Sequence, residues 1–440
     1  MIRATTIGVL KNYRYGLNNS FVKMNDARTT MLTHRNFNSF AEDPSAASLS
    51  FQLRRARMTV ESQKTVCDTA YRKFQSAWSS LDTVISKVDN VTKNSISEAD
   101  LKALNEPTSG DYGGRSALGK ELDELANTLV QVMNNKYADT FLFSGADGQT
   151  VPFTWSDKGE LLYRGIPVDA SVPEVAMEDG APRSVDEFGN LDPNGQYYIQ
   201  SDSISTMKAD DFNAIDPADQ PQVMRDAGGN AVTVDENGNF DPAGEYVMVT
   251  TNIKTISKED YDTEVENVEK LRYLSEEEKL FLDIGQGNKE DENNKVIESS
   301  VFDSTLQGIN FLGFGKDEDG DPKNIVTITK QMAKICNESG EGRLTDEEYN
   351  ELFRLSKKFQ NAAEELHRAH VDMDARSSKL ENNLDLLDDN YDTLVEQYAE
   401  IEDVDDVDAI SAFLWASYSY NAALRVGNSI LAQSLMDYMQ

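Results

Sequence analysis

Two cysteines and three histidines among 440 residues leave little material for metal or nucleophile chemistry. Cys67 and Cys336 lie far apart in the chain, so they suggest neither a disulfide framework nor a metal cluster and read as buried small residues. No apolar run approaches the roughly 18 to 20 residues of a spanning helix, and no apolar core of a secretory signal follows the first residues. No membrane partner is expected, and the chain should be cytoplasmic or leave by another route. Positive charge is also scarce: 42 Lys and Arg stand against 77 Asp and Glu, a formal charge of -35. Such a chain repels a phosphate backbone, which argues against nucleic acid as a partner and otherwise keeps the protein soluble. Gly and Pro are few, and 39% of residues are apolar, so an ordered protein of roughly two to four domains is expected.

What is present is helical periodicity. In "RNFNSFAEDPSAASLSFQLRRA" Asp43 is suited to cap a helix and Pro44 to its first position. From Leu49 the positions Leu53, Ala56, Val60, Gln63, Cys67, Ala70, Phe74, Ala77, Leu81, Val84 and Val88 alternate four and three apart without a slip. Apolar residues at this 3.5 period are a coiled-coil signal, and residues 44 to about 92 would span roughly 75 Å. A second rod is expected from a capping box at Thr345 and Glu348 to about Glu402, with Leu380, Leu384, Leu387, Tyr391, Leu394, Tyr398 and Ile401 in its seam. A shorter helix is expected at about Ser116 to Tyr137.

Both chain ends carry further stripes. Leu10, Leu17, Met24 and Met31 recur seven apart, with Tyr13 and Ala27 between them. In the last thirty residues Ile410, Leu414, Ser417, Asn421, Leu424, Asn428, Leu431, Leu435 and Tyr438 form one stripe, while Phe413, Trp415, Tyr420, Ile430 and Met439 lie off it. A helix apolar on more than one face needs more than one partner, so other chains are expected to cover what a paired terminal helix leaves bare. The alternative is that the terminal pair folds back on its own domain.

Between the rods, helical periodicity gives way to short runs such as "TFLFSG", "LLYRG", "YYIQ", "YVMVT" and "NIVTIT", separated by Gly, Asp and Pro. The segment contains a repeat: "SVDEFGNLDPNGQYYI" from Ser184 and "TVDENGNFDPAGEYVM" from Thr233 agree at nine of sixteen positions. One turn-and-strand unit has been used twice. The expected fold is mostly α with a β insert: long antiparallel helical rods of coiled-coil type, formed by the N- and C-terminal segments, around an inserted mostly-β domain. The expected division is 1–43 and 405–440 for the terminal segments, 44–139 and 345–404 for the rods, and 140–344 for the insert.

Chemistry is hard to find. Glu364, His367, His370, Asp372 and Asp374 on one helix contain a Glu-x-x-His pattern, but a helical di-metal site needs a second copy. "DEDGDPKN" from Asp317 and "DENGN" from Asp235 are oxygen-rich turns, yet an EF-hand counted from Asp317 would place Pro322 and Ile328 where Gly and Glu are needed. No P-loop, Gly-x-Ser-x-Gly elbow or His-Glu-x-x-His helix appears. No catalytic residue, metal or cofactor is therefore expected, which leaves an assembly subunit or an extended binding protein.

The arrangement resembles the bacterial flagellin family. Asp43, Pro44, Ala46, Ala47 and Ser48 are similar to the Asp-Asp-Pro-x-x-Ala-Ser signature of its hook-filament junction branch. "ELDELANTLVQVMNNKYADTFLFSGADGQTVPF", "EIEDVDDVDAI" and "SLMDYM" resemble further segments of that branch. Thr33, His34 and Arg35 depart from its usual Ser/Thr-Gly-Lys/Arg, and Glu42 replaces an Asp. The resemblance implies a structural subunit of the flagellum exported through the type III channel and located outside the cell. It implies self-association into a ring, with a second hook-associated junction protein and flagellin as partners and a cytoplasmic export chaperone before secretion. Filament flagellin and a coiled-coil adhesin are the alternative readings. Leu10, Leu17, Met24, Met31, Ile410, Leu414, Leu424, Leu431 and Leu435 would form the assembly interface. Trp415, Leu424, Leu431 and Leu435 would meet the chaperone, and Asp43 and Pro44 would mark a hinge.

Overall fold

A computed structural model describes residues 6–106, 113–178, 181–200, 204–216, 220–226, 228–235, 241, 243–250, 254–285, 287, 289–291, 296–297, 300–338 and 342–438; for 6, 7, 9, 178, 204, 250 and 430–438 it describes the backbone alone. The described helices are α1 (Thr6–Thr33), α2 (Pro44–Asn94), α3 (Glu98–Asn105), α4 (Gly113–Met133), α5 (Ala209–Ala214), α6 (Lys258–Arg272), α7 (Gly308–Leu312), α8 (Ile325–Glu338), α9 (Asp346–Glu402) and α10 (Asp406–Tyr438). The protein is thus mostly helical, with small antiparallel sheets between α4 and α8. Two compact units divide it. One holds Met1–Tyr71, Leu282–Phe302 and Lys379–Gln440; the other holds Arg72–Phe281 and Asp303–Ser378.

In the first unit α1 and α10 pack antiparallel. Tyr13 lies against Gly427, Phe21 against Tyr420 with ring centroids 5.6 Å apart, and His34 against Asp406, so each step along α1 is matched by a step back along α10. The start of α2 pairs with the end of α9 in the same sense: Ser50 meets Glu402, Arg54 meets Tyr398, and Lys64 meets Asp388. Cys67 is fully buried there and donates its thiol to the Leu380 carbonyl at 3.5 Å.

In the second unit the heptad positions Phe74, Ala77, Leu81, Val84 and Val88 of α2 are buried. So are Leu352, Leu355, Phe359, Leu366 and Met373 of α9, at spacings of three, four and seven that a helix turns to one side. The Thr345 hydroxyl accepts from the Glu348 N–H at 3.2 Å while Glu348 accepts from the Thr345 N–H at 2.8 Å, a reciprocal cap that starts α9. Alongside, α4 and α8 pack closely enough that Gly119 faces Cys336 and Asn337 across the contact. Burial pushes the Cys336 thiol up to about 11.

Two expectations shift here. The expected helix near Ser116 to Tyr137 ends at Met133, after which Lys136–Tyr137 and Thr140–Phe141 form a hairpin turning through Ala138 and Asp139, both at positive φ. "NIVTIT" is not a strand. Asn324 Oδ1 accepts from Val326 N–H at 2.9 Å and caps α8, whose buried Ile325, Ile328, Met332 and Cys336 follow helical spacing. Alternation over so few residues does not separate the two periods, and the cap decides the outcome.

The repeat is visible in three dimensions. In the first copy Ser184–Val185 pairs with Tyr197–Ile199; in the second Thr233–Val234 pairs with Tyr246–Thr250. Val185 and Val234 occupy equivalent places and are both fully buried in one cluster with Ile199 and Met248. Gly195 and Gly244 donate to Asp192 and Asp241 carbonyls at 2.9 Å each.

Candidate functional site: the hinge and the terminal helices

The segment linking α1 to α2 is tied to the segment linking α9 to α10. Asn36 N–H donates to the Glu402 carbonyl at 2.7 Å, and Val404 N–H donates to the His34 carbonyl at 3.2 Å. The Asn36 side chain adds bonds to the Ile401 and Asp403 carbonyls. Each following helix then has its own cap. Asp43 Oδ1 accepts from Ser45 and Ala46 N–H at 3.0 and 2.9 Å, with Pro44 at the first helical position, while Asp405 Oδ1 accepts from Val407 and Asp408. Where the resemblance implies glycine, His34 adopts φ 56, and its Nδ1 lies 2.6 Å from Asp406.

At the centre is Glu402, its side chain 6% exposed. Ser50 donates to Oε1 at 2.7 Å, Arg54 to the same atom at 3.0 Å, and Tyr398 to Oε2, while Arg35 lies 3.6 Å away. Burial raises the pKa of this carboxyl, but the hydroxyl bonds from Tyr398 and Ser50 and the two guanidiniums outweigh it and hold Glu402 below the usual carboxylate range. Arg54 in turn donates to Tyr398 Oη at 2.8 Å. Glu402 carries no signal in the local sequence, because Ser50, Arg54 and Arg35 reach it from far along the chain.

On α1, Leu10, Leu17, Met24 and Met31 are half-buried together with Tyr13 and Ala27. On α10 the packed side differs from the expected stripe. Ala409, Phe413, Ala416, Tyr420, Ala423 and Gly427 are covered, together with Ser411 and, from the expected stripe, Ser417, whereas Ile410, Leu414 and Leu424 are exposed. Alanine and glycine at four of these positions let α1 approach closely, with Tyr13 lying directly over Gly427. Trp415 is 73% and Tyr418 69% exposed, with Val426 also bare. Leu431 and Leu435 lie on α10, where only the backbone is described.

The other candidates do not converge on a site. His367 Nε2 meets Asp89 at 2.9 Å, and His370 stacks on Trp78 with centroids 4.9 Å apart. Among the described residues, Asp317, Asp319 and Asp321 alone are close enough to share a cation. A lysine already fills that role: Lys358 Nζ lies 2.5, 2.9 and 2.6 Å from the three carboxylates, and Arg354 clasps Asp321 from the side. The turn after Asp235 lies outside the described residues. Among those described, no helix is long and apolar enough to cross a membrane.

The chain resembles solved flagellar hook-associated proteins. A protein described as a flagellar hook-associated protein, from Vibrio parahaemolyticus, is 11% identical with a TM-score of 0.45, covering 82% of this chain and all of that one. Hook-associated protein 3 of Legionella pneumophila is 14% identical with a TM-score of 0.38, over 80% of this chain and 98% of that one. FlgL of Xanthomonas campestris is 13% identical with a TM-score of 0.37, over 79% and 99%. No family model and no curated protein matches the chain.

Proposed function

We propose that this protein is a non-enzymatic structural subunit of the bacterial flagellum, forming the junction between hook and filament in the manner of hook-associated protein 3. The observation that carries this reading is the bare apolar face of α10: Ile410, Leu414, Trp415, Tyr418, Leu424 and Val426 stay exposed although α1 is already packed against the helix. Fully burying one such side chain contributes about 1.5 to 3 kcal/mol, so covering several offsets the roughly 4 to 15 kcal/mol that association costs. The motif around Asp43 and Pro44 supports the flagellar assignment.

In this reading 1–43 and 405–440 are assembly segments, the paired rods of coiled-coil type carry load, and 140–344 faces outward. Leu10, Leu17, Met24 and Met31 hold α1 on α10, and the exposed face of α10 meets neighbouring copies in a ring. One end of the ring contacts a second hook-associated protein and the other contacts flagellin. Before export through the type III channel, a cytoplasmic chaperone covers Trp415, Leu424, Leu431 and Leu435.

Labelling the chain on intact cells tests the assignment. A single focus at the base of each filament is expected. Label along the whole filament would make it a filament subunit, and label away from flagella would refute the reading. Deleting 1–35 and 405–440 is expected to abolish incorporation; an adhesin on a coiled-coil stalk would keep its function.

A further inference from the structure

The charge of the chain is divided unevenly within its first unit. Acids outnumber bases across the whole sequence, yet α1 carries Lys11, Arg14, Lys23 and Arg28 against the single acid Asp26. All four bases are exposed, and among the described residues none makes an ion pair. Lys11, Arg14 and Arg28 fall on one side of the helix, beside the Leu10, Leu17 and Met24 stripe. Their helical partner does not neutralise them, because α10 has no acid between Asp408 and Asp437.

The last part of α9 is the converse. Glu381, Asp385, Asp389, Asp392, Glu396 and Glu400 recur every three or four residues, so they line one face, and all six are exposed. Nearby, Lys64 is taken by Asp388, and Arg54 by Glu402 and Tyr398. Like charges three and four apart repel along a helix, so the stripe works against the isolated chain. Solubility accounts for surplus acid; it does not account for a basic helix in the same chain. The two stripes also match in length: Lys11 to Arg28 spans roughly 26 Å and Glu381 to Glu400 roughly 28 Å at the helical rise.

We infer that the acidic face of α9 in one copy docks on the basic side of α1 in a second copy. The inference rests on the proposed role as an assembling subunit and names the surfaces that meet. Because different faces are joined, the contact is head-to-tail, and repetition of it closes a ring or extends a helix. The opposed charges steer the copies together and fix which end of one meets the other, while the apolar face of α10 stays free for a different contact.

Sedimentation of the concentrated full-length chain at low and high salt tests this. Association of the unaltered chain is expected to weaken about tenfold or more at high salt. A basic-face variant (Lys11→Glu, Arg14→Glu, Arg28→Glu) and an acidic-face variant (Asp385→Lys, Asp389→Lys, Glu396→Lys) should each lose association alone. Mixed, they should recover it, because each then offers the face the other lacks. Recovery by all six changes in one chain but not by mixing would place the contact inside a single copy and overturn the inference. Association indifferent to salt and to both variants would overturn it and leave the subunit reading standing. An unaltered chain that never associates under any condition would sink both.

Discussion

Gly427 faces the ring of Tyr13 so closely that a methyl group there would fall 1.9 Å from the phenol oxygen. In an isolated helix Gly→Ala gains about 1 kcal/mol, but overpacking a contact costs about 1 to 3 kcal/mol. Gly427→Ala is therefore expected to loosen the α1 and α10 pair, read as faster amide exchange in α1. In a Tyr13→Leu background the same change should reverse sign and slow exchange.

Glu402 makes a second prediction. Removing one partner from a buried cluster leaves the others unsatisfied, although Arg35 and Arg54 are half exposed and screened by water. Glu402→Ala should cost about 2 kcal/mol in chemical denaturation. Since the folded carboxyl sits below the usual range, its contribution is complete above the unfolded value of about 4.3 and disappears as pH falls through the folded one. Glu402→Gln should accordingly lose the part of the acid-denaturation slope that this group supplies.

Asp169 has the opposite sign. Burial pushes its carboxyl up to about 6, a rise that the Thr327 hydroxyl and Lys316 only partly offset. The folded state thus binds the proton more tightly than the unfolded chain, and ionisation above about 6 destabilises it. Asp169→Asn is expected to stabilise the protein at neutral pH by up to about 2 kcal/mol, a gain that shrinks as pH falls below that value. Thermal melts across the range would reveal it; a gain constant with pH would contradict it.

The duplicated unit predicts matched effects at two sites. A methyl group at Gly195 would lie 2.0 Å from the Val185 carbonyl oxygen, and one at Gly244 would lie 2.1 Å from that of Val234. Both obstacles are backbone, so neither can swing aside. Gly195→Ala and Gly244→Ala should each destabilise by about 2 to 3 kcal/mol, and similarly, in denaturant titrations. A large effect at one site with none at the other would mean that only one copy is structurally demanding.

Signals carried by neighbouring residues were readable before the structure. Asp43 and Thr345 cap the helices that follow because a cap joins a side chain to backbone two or three residues away. The seam from Phe74 to Val88 was readable because its pattern persists over many turns. What depended on distant partners was not. The packed face of α10 follows from the fit of Tyr13 to Gly427, and counting large apolar residues selected the face one residue over. The hub at Glu402 draws Ser50 and Arg54 from far along the chain, and nothing near it in sequence reveals them. Asn324 lay between the two cases: its cap is local, but the β-branched run behind it imitates a strand.

The two buried thiols bear on how any assembly of this protein would come apart. Cys67 and Cys336 are both shielded, and burial raises the pKa of each, to about 11 at Cys336. Thiols held protonated are poor nucleophiles, so an oxidising medium does not readily weld one copy to the next. In the proposed assembly, contacts between copies would then hold no disulfide. Acid or a chaotrope should disperse them into intact chains, while a reducing agent should leave them untouched.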